Sequence, residues 1–149
     1  MNVKTMIRGA VSALILAGVS TLAMAANDSP VGKWKTIDDQ TGKAVSVIEI
    51  YEKQNKIYGK VVEIFNPRVK VPRCEQCEGE DKNKPIVGLV VIKGLIKDKD
   101  EYTHGKILDP KHGKLYKCSL SLESRDRLKV RGFIGINLLG RTQIWERIK

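Results

Sequence analysis

The side chains that could do chemistry are few: three cysteines, two histidines and a scatter of carboxylates. The sharpest spacing is Cys74-Glu75-Gln76-Cys77. A redox pair of this kind needs its first thiol at a helix N-terminus, where the thiolate is stabilised. Here Glu75, Glu78 and Glu80 surround it and disfavour a negative sulfur. A structural metal needs about four ligands, and beyond this pair only His104, His112 and Cys118 could contribute. The favoured reading over a metal or redox pair is a short-range disulfide that stiffens a loop in an oxidising compartment. Cys118 lies among apolar neighbours and reads as a buried, inert thiol. It could also pair with Cys74 or Cys77, so three connectivities stay open.

His112 falls in a turn and His104 on a strand near Tyr102, where it could line a cavity. Neither belongs to a Ser/His/Asp arrangement, and the chain has no G-x-S-x-G elbow or phosphate-cradling glycine loop. Most carboxylates fall in loops, with Glu49 and Glu63 on strands as exceptions. No catalytic constellation is legible, and no cofactor or metal is implied. The expectation is a protein that is not an enzyme.

The start of the chain suggests where such a disulfide would form. Lys4 and Arg8 precede an apolar stretch from Gly9 to Leu22, followed by Ala23-Met24-Ala25. This order reads as an export signal at 1–25, cleaved after Ala25, with a single domain at 26–149. The apolar run is shorter than the roughly 20 residues of a spanning helix. No cysteine follows the cut to carry a lipid, and no second apolar run spans a membrane. A soluble periplasmic protein is expected. Cleavage removes two cations and no acids, lowering the formal charge from +10 to +8. The basic residues are dispersed and few aromatics could stack on bases, so nucleic acid is not an expected partner. A solvated basic surface attracted to anionic lipid or polysaccharide is the better account of the charge.

The elements that must position these residues are strands. Val31–Ile37, Ala44–Glu52 and Ile57–Phe65 are rich in β-branched residues, and Lys53-Gln54-Asn55-Lys56 links the last two as a hairpin. Adjacent Val61 and Val62 break the alternation, as in a strand buried partly on both sides. Asn66–Lys84 is a long loop holding both close cysteines. From Pro85 the apolar run IVGLVVIKGLIK predicts a strand with a kink or bulge. Strands follow at Glu101–Leu108, Lys114–Glu123, Arg127–Ile136 and Arg141–Ile148. In the second of these, Tyr116, Cys118, Leu120 and Leu122 share one face. Gly132, Gly135 and Gly140 fit a bend or a close backbone approach. About eight antiparallel strands in an all-β domain of this size predict a small up-and-down β-barrel. Phe133, Ile136, Leu138 and Leu139 form its greasiest stretch, either a corner packed in the core or a mouth for a ligand, membrane or partner.

Several segments of this plan are familiar. PVGKW, CEQCEGEDKNKPIVGL, ILDPKHGKLYKC and RGFIGINLLGRTQIW, in that order, resemble the exported bacterial proteins grouped as domain of unknown function family 2147. The resemblance covers essentially the whole mature chain and implies a lipocalin-like barrel. It further implies that Gly32 and Trp34 match the lipocalin G-x-W, whose tryptophan closes one barrel end under a basic residue of the last strand. Arg147 is the first candidate for that residue and Arg141 the second. By analogy of fold, a small apolar or amphipathic molecule would lie in the barrel against Ile48, Ile50, Tyr58, Val62, Leu89, Tyr102, Tyr116, Leu120 and Val130. The alternative is an interaction module that grips an envelope partner through its outer surface, with a solid core.

Overall fold

In a computed structural model, residues 29–136 and 139–149 are described. The expected export signal at 1–25 lies outside them. Strands account for nearly all the regular structure: β1 (Gly32–Ile37), β2 (Ala44–Lys53), β3 (Lys56–Ile64), β4 (Val90–Asp98), β5 (Glu101–Asp109), β6 (Lys114–Ser124), β7 (Arg127–Phe133) and β8 (Gly140–Arg147). A single 3-10 turn at Gly79–Asp81 interrupts the long β3–β4 loop.

Each strand pairs antiparallel with the next, and β1 pairs with β8, so the sheet closes into an eight-stranded up-and-down barrel. Closure satisfies the backbone groups that an open sheet would leave at its edges. The β2–β3 hairpin turns through Gln54 and Asn55, both at positive φ, 51° and 59°. That backbone matches the twist of its flanking strands.

The interior follows from the period-two rule. Trp34, Ile48, Ile50, Ile57, Val61, Ile92, Leu95, Cys118, Leu120, Leu128, Val130 and Trp145 are buried in one core. It is tightly filled at mid-barrel: a Cβ on Gly59 would lie 3.0 Å from Ile92 Cβ and 3.1 Å from Ile48 Cγ2. At roughly 25 cal/mol per Å² of buried apolar surface, these side chains supply the main driving force for closure.

Two boundaries and the regularity of one strand differ from the sequence expectation. Residues 85–89 do not open β4; they finish the long loop, because Gly88 turns at φ 95° and its N–H donates to Val61 O. β7 stops at Phe133, ahead of a turn through Gly135 at φ 64°. β5 is not regular. The register slips between Tyr102 and Gly105, with His104 at φ 63°, which is the signature of a bulge. The kink expected in β4 sits at Gly94, at φ 69°.

The long loop folds back as a lobe against the outer wall. Cys74 and Cys77 are disulfide-bonded and buried, Cys74 Sγ lies 3.4 Å from Pro110 O, and Asp81 pairs with Lys93 on the outer face of β4. Val91 and Leu108 share that outer face with Lys93 and Lys106, yet both are buried. The lobe buries an apolar residue on the outer side of each of β4 and β5. Gly113 is required where the lobe meets the β5–β6 turn: a Cβ there would fall 1.8 Å from Gln76 O.

Candidate functional site

Up-and-down connectivity gives the barrel two ends, and they differ in chemistry. One end carries the β2–β3, β4–β5 and β6–β7 turns with the chain's last residues. The other carries the turns after β1 and β5, the long β3–β4 loop, and the loop from Ile134 to Leu139.

The first end is plugged. Trp34 is fully buried, and its indole N–H donates to Pro30 O at 2.7 Å. Arg147, opposite Trp34 across the β1–β8 seam, lays its guanidinium over the indole with Cζ 4.1 Å from the ring centroid. The same guanidinium donates to Arg125 O at 2.7 Å and to Val31 O and Ser29 O at 2.9 Å each. One side chain therefore combines a cation–π contact with caps on three carbonyls. Burial lowers its pKa below the ordinary arginine value, and the nearby Asp126 charge opposes the shift. Gly32 leaves the space: a Cβ there would sit 2.9 Å from an Arg147 guanidinium nitrogen. Arg141, the second candidate for this position, lies at the far end of β8 and pairs with Asp39, with Nε 2.7 Å from the carboxylate.

Among the described residues the second end, hereafter the open end, has no such plug, and its lining turns polar. Thr36 and Ser46 face each other across β1 and β2 with hydroxyls 2.8 Å apart. Gln143 accepts the Trp145 indole N–H at 3.1 Å. Beside the rim, between barrel and lobe, lies a pocket of about 280 Å³ lined by Cys77, Asp81, Leu108, Leu115, Tyr116 and Ile134 among others. A larger depression of about 520 Å³ surrounds the plugged end, where Arg147 is one of its walls. The guanidinium there is already committed to carbonyls, which leaves the open end as the better candidate.

The nine residues expected to line a ligand cavity separate into four groups. Ile48, Ile50, Leu89, Leu120 and Val130 are buried in the packed core, and Tyr102 packs against it. Only Tyr116 faces the pocket at the rim. Tyr58 and Val62 require correction: they alternate with buried Ile57, Gly59 and Val61, and so point out of the barrel. Tyr58 instead stacks on Tyr51 with ring centroids 5.8 Å apart. His104 also lies outside, its ring 3.6 Å from Asp98, because the bulge turns it away from the lumen. His112 contacts Asp109 at 2.7 Å in its turn, and Glu49 pairs with Lys60 at 3.4 Å on the surface. Among the described residues no carboxylate is buried, and no group of three His, Cys, Asp or Glu could hold a metal.

Leu108, Leu115 and Ile134 escaped the sequence reading. Leu108 and Leu115 interrupt the alternation of their strands, and that interruption was the available signal. Cys118 is the free thiol, buried in the core, and burial pushes its pKa up to about 12.

A family described as "Uncharacterized protein conserved in bacteria (DUF2147)" matches residues 32–147. Among solved structures, a Helicobacter pylori protein titled "Protein HP1028 from the human pathogen Helicobacter pylori belongs to the lipocalin family" superposes with a TM-score of 0.71. Its sequence is 22% identical, and the alignment covers 81% of this chain and 84% of that one. At that identity the likeness concerns the fold alone. No curated protein matches the chain.

Proposed function

Because the chain belongs to the bacterial family DUF2147, and its lipocalin-like barrel is plugged at one end only, we propose that it is an exported, periplasmic binding protein. Its ligand is a small apolar or amphipathic molecule. The observation that carries this reading is the contrast between the ends. Arg147 seals one, while the other carries Thr36, Ser46 and Gln143 in its lining and, beside its rim, a pocket walled by Leu108, Leu115, Tyr116 and Ile134. Apolar walls with a few hydroxyl and amide groups are what an amphipathic molecule requires. The close packing around Gly59 supports a position at the mouth, above the core, for that molecule.

Export is supported by Lys4, Arg8, the apolar segment and the small-residue cleavage pattern. The Cys74–Cys77 disulfide is compatible with the same compartment. Among the described residues no helix is long and apolar enough to cross a membrane.

The test is native mass spectrometry of protein purified from the bacterial envelope. A discrete bound mass is expected in the wild type and absent from Leu115→Glu. A wild type repeatedly free of bound mass, or an adduct untouched by Leu115→Glu, would contradict a ligand at the mouth.

A further inference from the structure

The apolar side chains that the barrel leaves in solvent are not evenly placed. Ile134, Ile136 and Leu139, on the β7–β8 loop, are 63%, 63% and 66% exposed. Val69 and Val71, on the long loop at the same end, are 60% and 52% exposed, and Leu115, which lines a pocket with Ile134, is 50% exposed. Only Val31, Ile96 and Ile148 at the plugged end are comparable in size, and none is more than 41% exposed. A concentration of this kind marks a surface that meets something apolar.

Charge selects what that is. Val69 and Val71 alternate with Arg68 and Lys70 in the exposed run Arg68-Val69-Lys70-Val71. Lys117 reaches under the greasy loop to Gly135 O at 3.4 Å, and Lys114 adjoins Leu115. Among the described residues, none of these four cations is in a salt bridge. Several acids of the open end are engaged, although Glu63 near the end of β3 is exposed and in none of the salt bridges among the described residues. Asp39 pairs with Arg141 and Asp109 with His112, while Asp38 binds Thr41 in its turn. Glu75, Glu78 and Glu80 lie on the disulfide lobe, and Glu78 also lines the pocket beside Lys114, Leu115 and Ile134. Two copies meeting rim to rim would set like charges together around their apolar tips, which disfavours a symmetric dimer. Exposed apolar side chains with cations at the same end of the barrel instead fit an interface that is apolar inside and anionic at its surface.

We propose that the open rim docks on an anionic phospholipid bilayer. Ile134, Ile136 and Leu139 enter the headgroup boundary, and Arg68, Lys70, Lys114 and Lys117 meet the phosphates. This docking does not depend on a bound small molecule, although it would set the mouth of the barrel against the lipid.

The test is sedimentation with vesicles of phosphatidylethanolamine and phosphatidylglycerol, compared with phosphatidylcholine alone. All proteins are expressed from the full-length sequence and purified in the same way. The wild type is expected to bind the anionic vesicles and to be released by salt. Arg68→Ser with Lys70→Ser should weaken partitioning about fivefold per cation, roughly 30-fold together. Ile134→Ser with Leu139→Ser should cost at least about tenfold. Lys53→Ser with Lys56→Ser makes the same charge change at the plugged end and should change partitioning less than about twofold. All these positions are exposed, and circular dichroism with melting checks that each variant folds. Equal binding to both vesicle types, or equal losses from both lysine- and arginine-removing pairs, would overturn the proposal. So would self-association in solution that Ile134→Ser with Leu139→Ser abolishes while vesicle binding is absent, because the rim would then be an interface between copies.

Discussion

Arg147 makes three hydrogen bonds to carbonyls of two different segments while it covers an indole. Removing it leaves Ser29, Val31 and Arg125 carbonyls without that donor and uncovers Trp34. Arg147→Met should therefore cost about 2–4 kcal/mol of stability by chemical denaturation. Arg147→Lys keeps a charge but not the planar fork, and should recover less than about half of that loss. A lysine variant as stable as the wild type would show that the charge alone matters. Cys118 supports a different expectation. With its thiol pushed up to about 12, the thiolate fraction near pH 8 is on the order of 10⁻⁴. Native protein should resist alkylation at this position, and labelling should become rapid in guanidinium chloride, as read by intact mass. Fast labelling of the folded protein would contradict the buried position. Its neighbours on β6 made the burial of Cys118 legible in the sequence, whereas its partnership was not, because spacing alone cannot choose among three pairings.

Among the elements, the disulfide lobe carries the largest share of what alternation could not reveal. Val91 and Leu108 are out of phase with the core-facing residues of their own strands, and their burial depends on a segment that packs from outside. The lobe is held in part by Asp81. Its partial burial raises the carboxyl pKa, but the hydrogen bonds and charges of Lys93 and Lys84 outweigh that and lower it below 3.8. A depressed carboxylate contributes fully above its unfolded value and is lost as pH falls through the folded one. Asp81→Asn should thus lower stability by about 1 kcal/mol near neutral pH. The gap from wild type should close as the solution is acidified through and below 3.8. Denaturation curves across that range check it, and a gap that persists in strong acid would remove Asp81 from the pairing. The bulge at His104 was equally hidden. Nothing in Tyr102-Thr103-His104-Gly105 marks it locally; it arises where β5 must adjust its register to β6.

For the whole molecule, β-branched runs, short polar turns and one long cysteine-bearing loop were enough to anticipate eight antiparallel strands in a barrel. The filling of the lumen was less legible, because whether Ile48 and Ile92 meet over Gly59 depends on how strongly the sheet curls. Export belongs to this scale as well. Cleavage after Ala25 should leave a chain that begins at Ala26, and intact mass of protein from the periplasm reads this directly. A full-length mass would refute the cleaved signal. The β1–β8 seam bears on how such a chain folds. Its register pairs Trp34 with Arg147 and Lys35 with Glu146, and Arg147 itself fastens the first strand to the β6–β7 turn. The clasp thus joins residues more than a hundred positions apart in sequence. Long-range pairings of this kind form late and slowly. If the chain is exported N-terminus first, as proposed, it cannot fasten its barrel until Arg147 has emerged, so the fold delays its own closure during passage.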